Sequence, residues 1–255
     1  MKQPKVLVAC PTYAGKNYCI DEWMKTVKRF KYFNYDILMV DNTNDNGKNA
    51  KWIMDTYGIN VIYHYNQKVK GTKWLMAECN EVIRKYFLDN DYDYLFSLEA
   101  DVMPRDETII QKFINFDCDI VTGMYDIGDP GYSFPLIQKR VVYKDENGDV
   151  QETIRQLSWQ EIYPFLDGTL KNVFAAGIGC ALIKKKVLEK VKFRISDINP
   201  YVHADSIFYM DTHNEGFRTF MDTSMYCWHM RDDKAIGIRH GIREEEFKKG
   251  EDKNE

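Results

Sequence analysis

The chain has 255 residues, of which 44% are hydrophobic and 29% are charged, and 35 Lys and Arg against 39 Asp and Glu give a net charge of −4. This length and composition predict a soluble globular protein with one large domain or two small ones. The slight acidity argues against nonspecific nucleic-acid binding through bulk charge, although a local basic strip stays open. The longest apolar stretch, 173–183, is shorter than the roughly 18 residues that a membrane-spanning helix needs.

The six cysteines are scattered along the chain, and none of them forms a C-x-x-C pair. Neither a disulfide framework nor a thiolate zinc site is therefore indicated, and a reducing, cytoplasmic location fits best. The apolar run after Lys5 is too short for the core of a signal peptide, so we expect no N-terminal targeting signal.

The first hundred residues alternate between two hydrophobic patterns. Nearly continuous apolar runs predict buried strands at 5–10, 36–40, 59–65 and 92–98, the first of them ended by Pro11. Apolar residues at helical spacing predict helices at 18–30, 50–57 and 72–88. This alternation predicts an α/β fold, a Rossmann-like and mostly parallel sheet flanked by helices, with ligands at the carboxyl ends of the strands.

Beyond Asp101 the pattern becomes mixed. It predicts helices at 106–116, 184–191 and 206–215, strands at 119–124 and from Arg218, and a hairpin over 141–154 about Asn147-Gly148. The apolar run at 173–183 predicts a single strand that leads into the next helix. The charged end at 244–255 predicts a solvated tail.

Two carboxylates follow the strand predicted at 92–98. Glu99 and Asp101 are two positions apart, so in an extended chain their side chains point to the same side. Hard oxygen ligands at a strand end suit Mg²⁺ or Mn²⁺ bound jointly by the protein and the phosphates of a substrate. A solvated acidic turn with a helix N-cap is the alternative interpretation of the same residues.

Further motifs accompany this pair in a characteristic order. Pro11-Thr12-Tyr13 ends the first predicted strand, Val40-Asp41-Asn42 ends the second, and Glu99-Ala100-Asp101 is followed by Pro104. In this order they resemble the motifs of the glycosyltransferase-A (GT-A) fold, particularly the large family-two type of nucleotide-sugar transferases. The resemblance spans most of the chain.

The resemblance implies a nucleotide-sugar site at the strand ends. It puts Tyr13 against the nucleobase, Asp41 where base or ribose can donate hydrogen bonds, and Lys73 near the diphosphate. The residues that it implies for donor binding are Pro11, Thr12, Tyr13, Asp41, Lys73, Glu99, Ala100 and Asp101. An ordinary turn with a partly buried aromatic ring is the alternative for Pro11 and Tyr13.

The second half of the chain carries further matches to the same family. Gly177, within Ala175-Ala176-Gly177-Ile178-Gly179, resembles part of a small-residue strand on the acceptor side, and tight core packing is the alternative. Asp205, eleven positions before Gly216, matches the carboxylate that acts as the general base in the family. Ala204 replaces the Glu that precedes this carboxylate in the family, and a plain helix N-cap is the alternative for Asp205.

His229, near the end of the last predicted strand, matches a histidine that completes the metal site in relatives with this fold. A packed histidine beside Trp228 is the alternative. Arg231 and His240 are candidate phosphate contacts on a C-terminal loop. The aromatic segment 134–167, which includes Trp159, is expected to shape the acceptor side or to form a second small core.

Taken together, the resemblance implies metal-dependent transfer of a sugar from a nucleoside-diphosphate sugar to an unknown hydroxyl acceptor, with inversion and with Asp205 as the base. A retaining mechanism on the same fold stays open. The implied cofactor is Mn²⁺ or Mg²⁺, bound by Asp101, Glu99 and His229, and a UDP-sugar is favoured over a GDP-sugar. The implied catalytic domain covers 1–243, with a donor half at 1–101 and an acceptor half at 102–243.

Two other functions stay open. A nucleotidyltransferase that acts on a sugar phosphate would also need a parallel sheet and a carboxylate pair. Such enzymes carry a glycine-rich, basic loop after the first strand, for which Ala14-Gly15-Lys16 is a thin substitute. A non-catalytic protein with this fold that binds a glycan or a partner is the other. A dinucleotide-binding fingerprint is not indicated, since Leu182 stands at its third glycine position.

Overall fold

The computed structural model describes residues 3–68, 71–129, 132–144, 146–195, 202–231 and 234–236. Its strands are β1 (Val6–Thr12), β2 (Tyr35–Asp41), β3 (Asn60–Tyr63), β4 (Tyr94–Leu98), β5 (Val102–Pro104), β6 (Ile120–Met124), β7 (Asp126–Asp129), β8 (Tyr132–Pro135), β9 (Ile137–Lys144), β10 (Val150–Gln156), β11 (Leu170–Val173), β12 (Ala175–Ala176), β13 (Cys180–Lys184), β14 (Thr219–Arg231) and β15 (Lys234–Ile236). Its helices are α1 (Asn17–Lys28), α2 (Lys48–Tyr57), α3 (Thr72–Asp89), α4 (Ile109–Asn115), α5 (Trp159–Ile162), α6 (Lys185–Lys190) and α7 (Ala204–Asn214), with short 3-10 turns at Ala14–Lys16 and Tyr163–Phe165.

One large sheet organises these elements, with strands in the order β11-β14-β6-β13-β4-β1-β2-β3. Strands β3, β2, β1 and β4 are parallel to one another. Because β13 is antiparallel to both β4 and β6, and β14 is parallel to β6, the strands β6 and β14 share the direction of β4. The predicted α/β fold with a mostly parallel sheet is therefore confirmed.

Strand β1 shows how this sheet divides the core. Val6, Val8 and Cys10 face a layer that contains α1 and α4, whereas Leu7 and Ala9 face a layer that contains α3, α6 and α7. All seven residues of β1 are buried. Side chains alternate between the two faces of a strand, and both faces are covered here, which explains the nearly continuous apolar run.

The predicted elements of the first hundred residues are confirmed, with ends that differ by at most two residues. The end of β1 is the informative difference, because Pro11 lies inside the strand and does not terminate it. The β1–β4 ladder stops at Ala9, while the β1–β2 ladder continues to Thr12. The Thr12 carbonyl oxygen accepts from the Asn42 N–H on the β2 side, so Pro11 faces the open side, where no ladder donor is needed. The alternative of an ordinary turn at Pro11 is wrong.

The prediction of one strand at 173–183 is also wrong. The structure divides this run into the end of β11, the short β12 and the separate β13. Ala175 and Ala176 of β12 pair with β9 in a second, three-stranded sheet, whereas β13 returns to the large sheet beside β4. Gly177 and Gly179 lie in the loop between them, where the chain passes close to the side chain of Tyr125.

Other predictions for the second half are confirmed in outline. The helices and strands at 106–116, 119–124, 184–191 and 206–215 correspond to α4, β6, α6 and α7. The predicted hairpin corresponds to the antiparallel pair β9 and β10, and Gly148 between them has a left-handed φ of +84°. The strands β5, β7, β8 and β11 and the short helix α5 were not predicted, since runs of three or four residues give no clear hydrophobic period.

Within the described ranges, no helix combines the length and apolar character needed to cross a membrane. The six cysteines, all of which are described, form no disulfide. The predicted tail at 244–255 lies outside the described residues. The single domain over 1–243 and its division at residue 101 stay predictions.

Candidate active site

The carboxyl end of β4 leads directly into the two predicted carboxylates. Leu98 ends β4, and the following turn is closed by a hydrogen bond from the Val102 N–H to the Glu99 carbonyl oxygen at 2.9 Å. The Glu99 N–H donates to the Gly179 carbonyl oxygen at 2.9 Å, which ties the turn to β13. Asp101 is 4% exposed and Glu99 is partly buried, so the alternative of a solvated acidic turn is wrong.

Strand β14 brings His229 to Asp101. After a register shift within the strand, the second half of β14 pairs with β5, with His229 opposite Val102. The Met230 N–H donates to the Asp101 carbonyl oxygen at 2.7 Å. In this arrangement His229 Nε2 lies 3.1 Å from Asp101 Oδ2, although the two residues are 128 positions apart.

A hydrogen bond on the other side of the ring fixes the tautomer of His229. Its Nδ1 lies 2.7 Å from the carbonyl oxygen of Asp126, which can only accept, so Nδ1 carries a proton. In the neutral imidazole Nε2 is then an acceptor that faces the Asp101 carboxylate, and this pair needs a proton or a cation between them. Burial lowers the pKa of His229, but the contact with Asp101 outweighs burial and raises the pKa overall.

Lys16 contacts the same carboxylate. It ends the 3-10 turn that follows β1, and its ammonium group forms an ion pair with Asp101 Oδ2. Burial acts to raise the pKa of Asp101, but the contacts with His229 and Lys16 outweigh burial and lower it overall. Asp101 is therefore ionised at neutral pH, and both Lys16 and His229 contact its Oδ2 oxygen.

The pKa values of Glu99 and Asp205 are shifted upward, in the opposite direction from that of Asp101. Burial, followed by the charges of Asp101 and Asp205, raises the pKa of Glu99 to about 8. Burial also raises the pKa of Asp205, against the opposing effects of His203 and of a hydrogen bond from the Ile178 N–H. A carboxylate with a raised pKa binds a proton more tightly than a solvated carboxylate, which is a property that a general base can use.

Helix α7 carries Asp205 as its second residue, with His203 as the N-cap. The alternative in which Asp205 is itself the N-cap is therefore wrong. Ala204, the first residue of the helix, is 2% exposed and packs with Ala77 of α3. The position that carries Glu in the resembled family thus belongs to an apolar cluster in this protein, which explains why a small apolar residue stands there.

Gly177 and Gly179 make room for Tyr125, which directly follows β6. A Cβ atom at Gly177 would lie 2.0 Å from the Tyr125 hydroxyl, and one at Gly179 would lie 2.7 Å from Glu99 Oε2. The Gly179 N–H donates to the Tyr125 hydroxyl at 3.0 Å, and the Tyr209 hydroxyl donates to the Gly177 carbonyl oxygen at 3.4 Å. Close packing therefore requires both glycines, while a contact of Gly177 with the acceptor stays a prediction.

A second polar cluster lies at the carboxyl ends of β1 and β2. Thr12 and Asp41 are partners in the β1–β2 register, and both are buried. Asp41 Oδ1 accepts from Thr43 Oγ1 at 2.7 Å and from Asn49 Nδ2 at 2.9 Å. Asp41 Oδ2 and Thr12 Oγ1 find no hydrogen-bond partner among the described residues. Unpartnered buried polar atoms are costly, and because these two atoms are shielded from solvent, a ligand can supply their partners only where neighbouring groups move aside.

Tyr13 lies at the same end of the sheet and is 44% exposed. Its ring covers Gly15, where a Cβ atom would lie 2.3 Å from the Tyr13 ring. An exposed ring held in this way can stack on a nucleobase. Pro11 is buried within β1, and Ala100 is 2% exposed between the two carboxylates, so these residues shape the backbone.

Trp159 begins α5 and is 41% exposed, and Ile162 of the same helix packs with Ala176 beside the glycine loop. Its contact with an acceptor stays a prediction. The Lys73 side chain and the whole of His240 lie outside the described part of the chain. Arg231 ends β14 and is exposed.

Asp101 and His229 fit a divalent cation that is completed by a substrate. Within the part of the chain that the structure describes, no group of three or more His, Cys, Asp or Glu side chains could hold a metal ion. Asp101 Oδ2 and His229 Nε2 nevertheless offer an oxygen and a nitrogen acceptor side by side. Mg²⁺ sites commonly combine one or two carboxylates with substrate phosphates and waters. Glu99 as a further ligand stays a prediction.

No sequence motif assigned Tyr125 to the site. Lys16 was considered only as part of Ala14-Gly15-Lys16, a weak match to the basic loop of nucleotidyltransferases. Both residues follow strands that run in the direction of β4, Lys16 after β1 and Tyr125 after β6. The carboxyl ends of strands with one direction meet at one edge of a sheet, and that rule would have identified both residues.

Comparisons with known proteins give structural matches only. No protein-family model matches the chain, and comparison with curated proteins gives no match. A197 from STIV is 18% identical, with a TM-score of 0.52 and coverage of 91% of this chain and 90% of that one. The mannosyltransferase PcManGT from Pyrobaculum calidifontis, in complex with GDP-Man and Mn²⁺, is 13% identical, with a TM-score of 0.54 and coverage of 94% and 59%. GalNAc-T7 with UDP, GalNAc and Mn²⁺ is 11% identical, with a TM-score of 0.58 and coverage of 89% and 44%.

The chain has a GT-A-like fold. At these identities the likeness extends to the fold alone, and the family-two type within that fold stays a prediction. The chain spans 59% and 44% of the lengths of the two transferase chains that it matches.

Proposed function

We propose that this protein is a glycosyltransferase that transfers a sugar from a nucleoside-diphosphate sugar to a hydroxyl acceptor with the help of Mn²⁺ or Mg²⁺. The observation that carries the proposal is that four side chains lie close together beside the carboxyl end of β4 in a GT-A-like sheet. They are Asp101, His229, Glu99 and Asp205. Two solved neighbours with this fold contain nucleotide ligands and Mn²⁺, which supports the same general chemistry.

The donor would bind across the two polar clusters of the site. At the ends of β1 and β2, the exposed Tyr13 would stack on the base. Asp41 Oδ2 and Thr12 Oγ1 would form hydrogen bonds with the base or ribose once the groups that cover them move aside. At the end of β4, Asp101 and His229 would hold the cation beside the diphosphate. When bound, that cation offsets the negative charge that develops on the leaving diphosphate.

Asp205 would act as the general base. The acceptor oxygen forms a bond to the anomeric carbon while the bond from that carbon to the diphosphate oxygen breaks, and the acceptor proton passes to the Asp205 carboxylate. A single displacement of this kind inverts the anomeric carbon. The raised pKa of Asp205 favours proton uptake, and the Ile178 N–H orients the carboxylate.

Thermal shift with a panel of nucleotides tests the proposal, because a ligand that binds the native state raises the melting temperature. UDP, GDP and CMP are each compared with and without Mn²⁺, and UDP with Mn²⁺ is expected to give the largest shift. Asp101→Asn should remove the part of the shift that depends on Mn²⁺. Asp55→Asn, an exposed carboxylate on α2, is the matched control and should leave the shift unchanged. The absence of any diphosphate-dependent shift in the wild type would refute the proposal.

The ion pair between Lys16 and Asp101 favours a second candidate, nucleotidyl transfer from a nucleoside triphosphate to a sugar phosphate, since it puts a cation directly after β1. That reaction releases pyrophosphate. Incubation with UTP, a sugar 1-phosphate and Mg²⁺ should give no pyrophosphate if the protein is a glycosyltransferase.

A further inference from the structure

Lys16 is a cation at the donor site to which the proposed function gives no role. Its ammonium group contacts Asp101 Oδ2, the same oxygen that faces His229 Nε2 at 3.1 Å. The Lys16 side chain is 29% exposed, whereas that of Asp101 is 6% exposed. The lysine side chain is therefore partly accessible to solvent, whereas the carboxylate that it contacts is buried.

The backbone around Lys16 is held in place from several sides. The Ala14 N–H donates to Thr43 Oγ1 at 2.8 Å, and the Lys16 N–H donates to the Tyr13 carbonyl oxygen at 2.8 Å. Directly after the turn, Asn17 Nδ2 donates to Asn49 Oδ1 at 2.8 Å. These bonds tie the turn to residues that follow β2. The lysine therefore extends from a fixed backbone, and its four methylene groups give the ammonium freedom to move.

The ion pair between Lys16 and Asp101 should respond to a cation or a diphosphate that binds at Asp101. In the described structure the Lys16 ammonium is the permanently charged partner of the carboxylate, beside the titratable His229 ring. A divalent cation at Asp101 would place two cations at one oxygen, which repel each other at that distance. A diphosphate brings negative oxygens to the same place and gives the ammonium a new partner.

We propose that Lys16 exchanges partners during donor binding, from the Asp101 carboxylate in the free protein to the diphosphate of the bound nucleotide. Lys16 would then contact the leaving group directly and add a positive charge to the one that the divalent cation supplies. This inference rests on the proposed function, because it assumes that a nucleoside diphosphate binds at Asp101.

Two binding measurements on Lys16→Gln test the exchange. The first is the affinity for UDP and GDP by calorimetry, which should fall by about 10- to 100-fold, the usual value of a hydrogen bond to a charged group. The second is the affinity for Mn²⁺ alone, followed through the spectrum of free Mn²⁺ in electron paramagnetic resonance. Removing a competing cation should leave this affinity equal to that of the wild type or make it tighter.

Further variants separate a direct contact from a structural role. Lys16→Arg keeps the charge and should recover most of the affinity for the diphosphate. Lys25→Gln, an exposed lysine on α1, should change neither affinity. Circular dichroism and melting temperature establish that each variant is folded.

The possible outcomes are distinct. If the wild type binds UDP or GDP with Mn²⁺ and Lys16→Gln binds them equally well, the exchange is wrong and the proposed function survives. If Lys16→Gln loses affinity for both nucleotide and Mn²⁺, or if Lys16→Arg recovers none, Lys16 only supports the structure and the exchange is again wrong. If the wild type binds neither nucleotide, the proposed function fails and the exchange fails with it.

Discussion

Replacing Asp205 by Asn should make the protein more stable and much less active. Burial raises the pKa of Asp205, which means that the folded state disfavours its ionised form. At pH 7 the unfolded chain carries this carboxylate ionised without penalty, so its charge costs stability. Each unit by which the pKa is raised corresponds to ~1.4 kcal/mol, or about 3–6 °C in melting temperature for a chain of this size. Asn keeps an oxygen that can accept from the Ile178 N–H.

The gain should depend on pH in a defined direction. Below the ordinary pKa of about 4 the carboxylate is protonated in both states, so the wild type and Asp205→Asn should melt together. As pH rises toward the raised pKa of the folded state, only the unfolded chain releases its proton. The melting temperature of the wild type therefore drops below that of the variant. Melting curves of both proteins from about pH 3 to pH 8, with a chelator present, measure this difference. Asp211→Asn on the same helix is the control, because loss of its ion pair with Arg194 should lower stability slightly.

The loss of activity comes from the missing proton acceptor. Turnover should fall by about 10²- to 10⁴-fold, the usual contribution of a general base, while nucleotide affinity stays unchanged. Two results would refute the reasoning. Full turnover in Asp205→Asn would remove Asp205 from the role of base, and a difference in melting temperature that is constant across pH would show that its charge is not what costs stability.

Three further substitutions test the packing around the site. Gly177→Ala should destabilise the protein by about 1–3 kcal/mol in urea unfolding, because its Cβ would lie 2.0 Å from the Tyr125 hydroxyl. Thr43→Val should cost about 1–3 kcal/mol in the same assay, since Asp41 Oδ1 loses a hydroxyl donor. Ala204→Glu should lower the melting temperature without raising turnover, because that position is 2% exposed.

For each of these three substitutions, one result would contradict the prediction. Unchanged unfolding of Gly177→Ala would show that Tyr125 moves aside at no cost. Thr43→Ser keeps the hydroxyl and should stay near the wild type, and a Thr43→Val variant that unfolds like the wild type would show that the hydroxyl donor contributes nothing. A stable and more active Ala204→Glu would mean that this position faces the active site.

The fold was predictable where local sequence decides it. In the first hundred residues, buried strands and amphipathic helices alternate, and each leaves its own hydrophobic period in the chain. The second half was less predictable because long-range pairing decides it. One strand, β14, pairs first with β6 and then with β5, and β5 is three residues long. At the break within 173–183, Gly177 lies close to the Tyr125 side chain, a long-range contact that no hydrophobic pattern predicts.

The same distinction between local sequence and long-range pairing applies to the candidate site. Glu99 and Asp101 were predictable from spacing at a strand end, whereas His229 came from the family resemblance alone. No spacing rule connects Asp101 to a residue 128 positions later. The ion pair of Lys16 with Asp101 depends on β1 and β4 being neighbours in the sheet, which the sequence does not state.

The turn after β1 connects the two ends of the candidate donor site. On one side the Ala14 N–H bonds to Thr43, which in turn donates to Asp41 in the cluster proposed for the base. On the other side Lys16 contacts Asp101 in the cluster proposed for the diphosphate. Because one short turn carries both contacts, we expect Thr43→Val to shift Lys16 as well as Asp41, and therefore to lower the affinity for UDP with Mn²⁺ in calorimetry. An unchanged affinity for UDP in that variant would mean that the two contacts are independent.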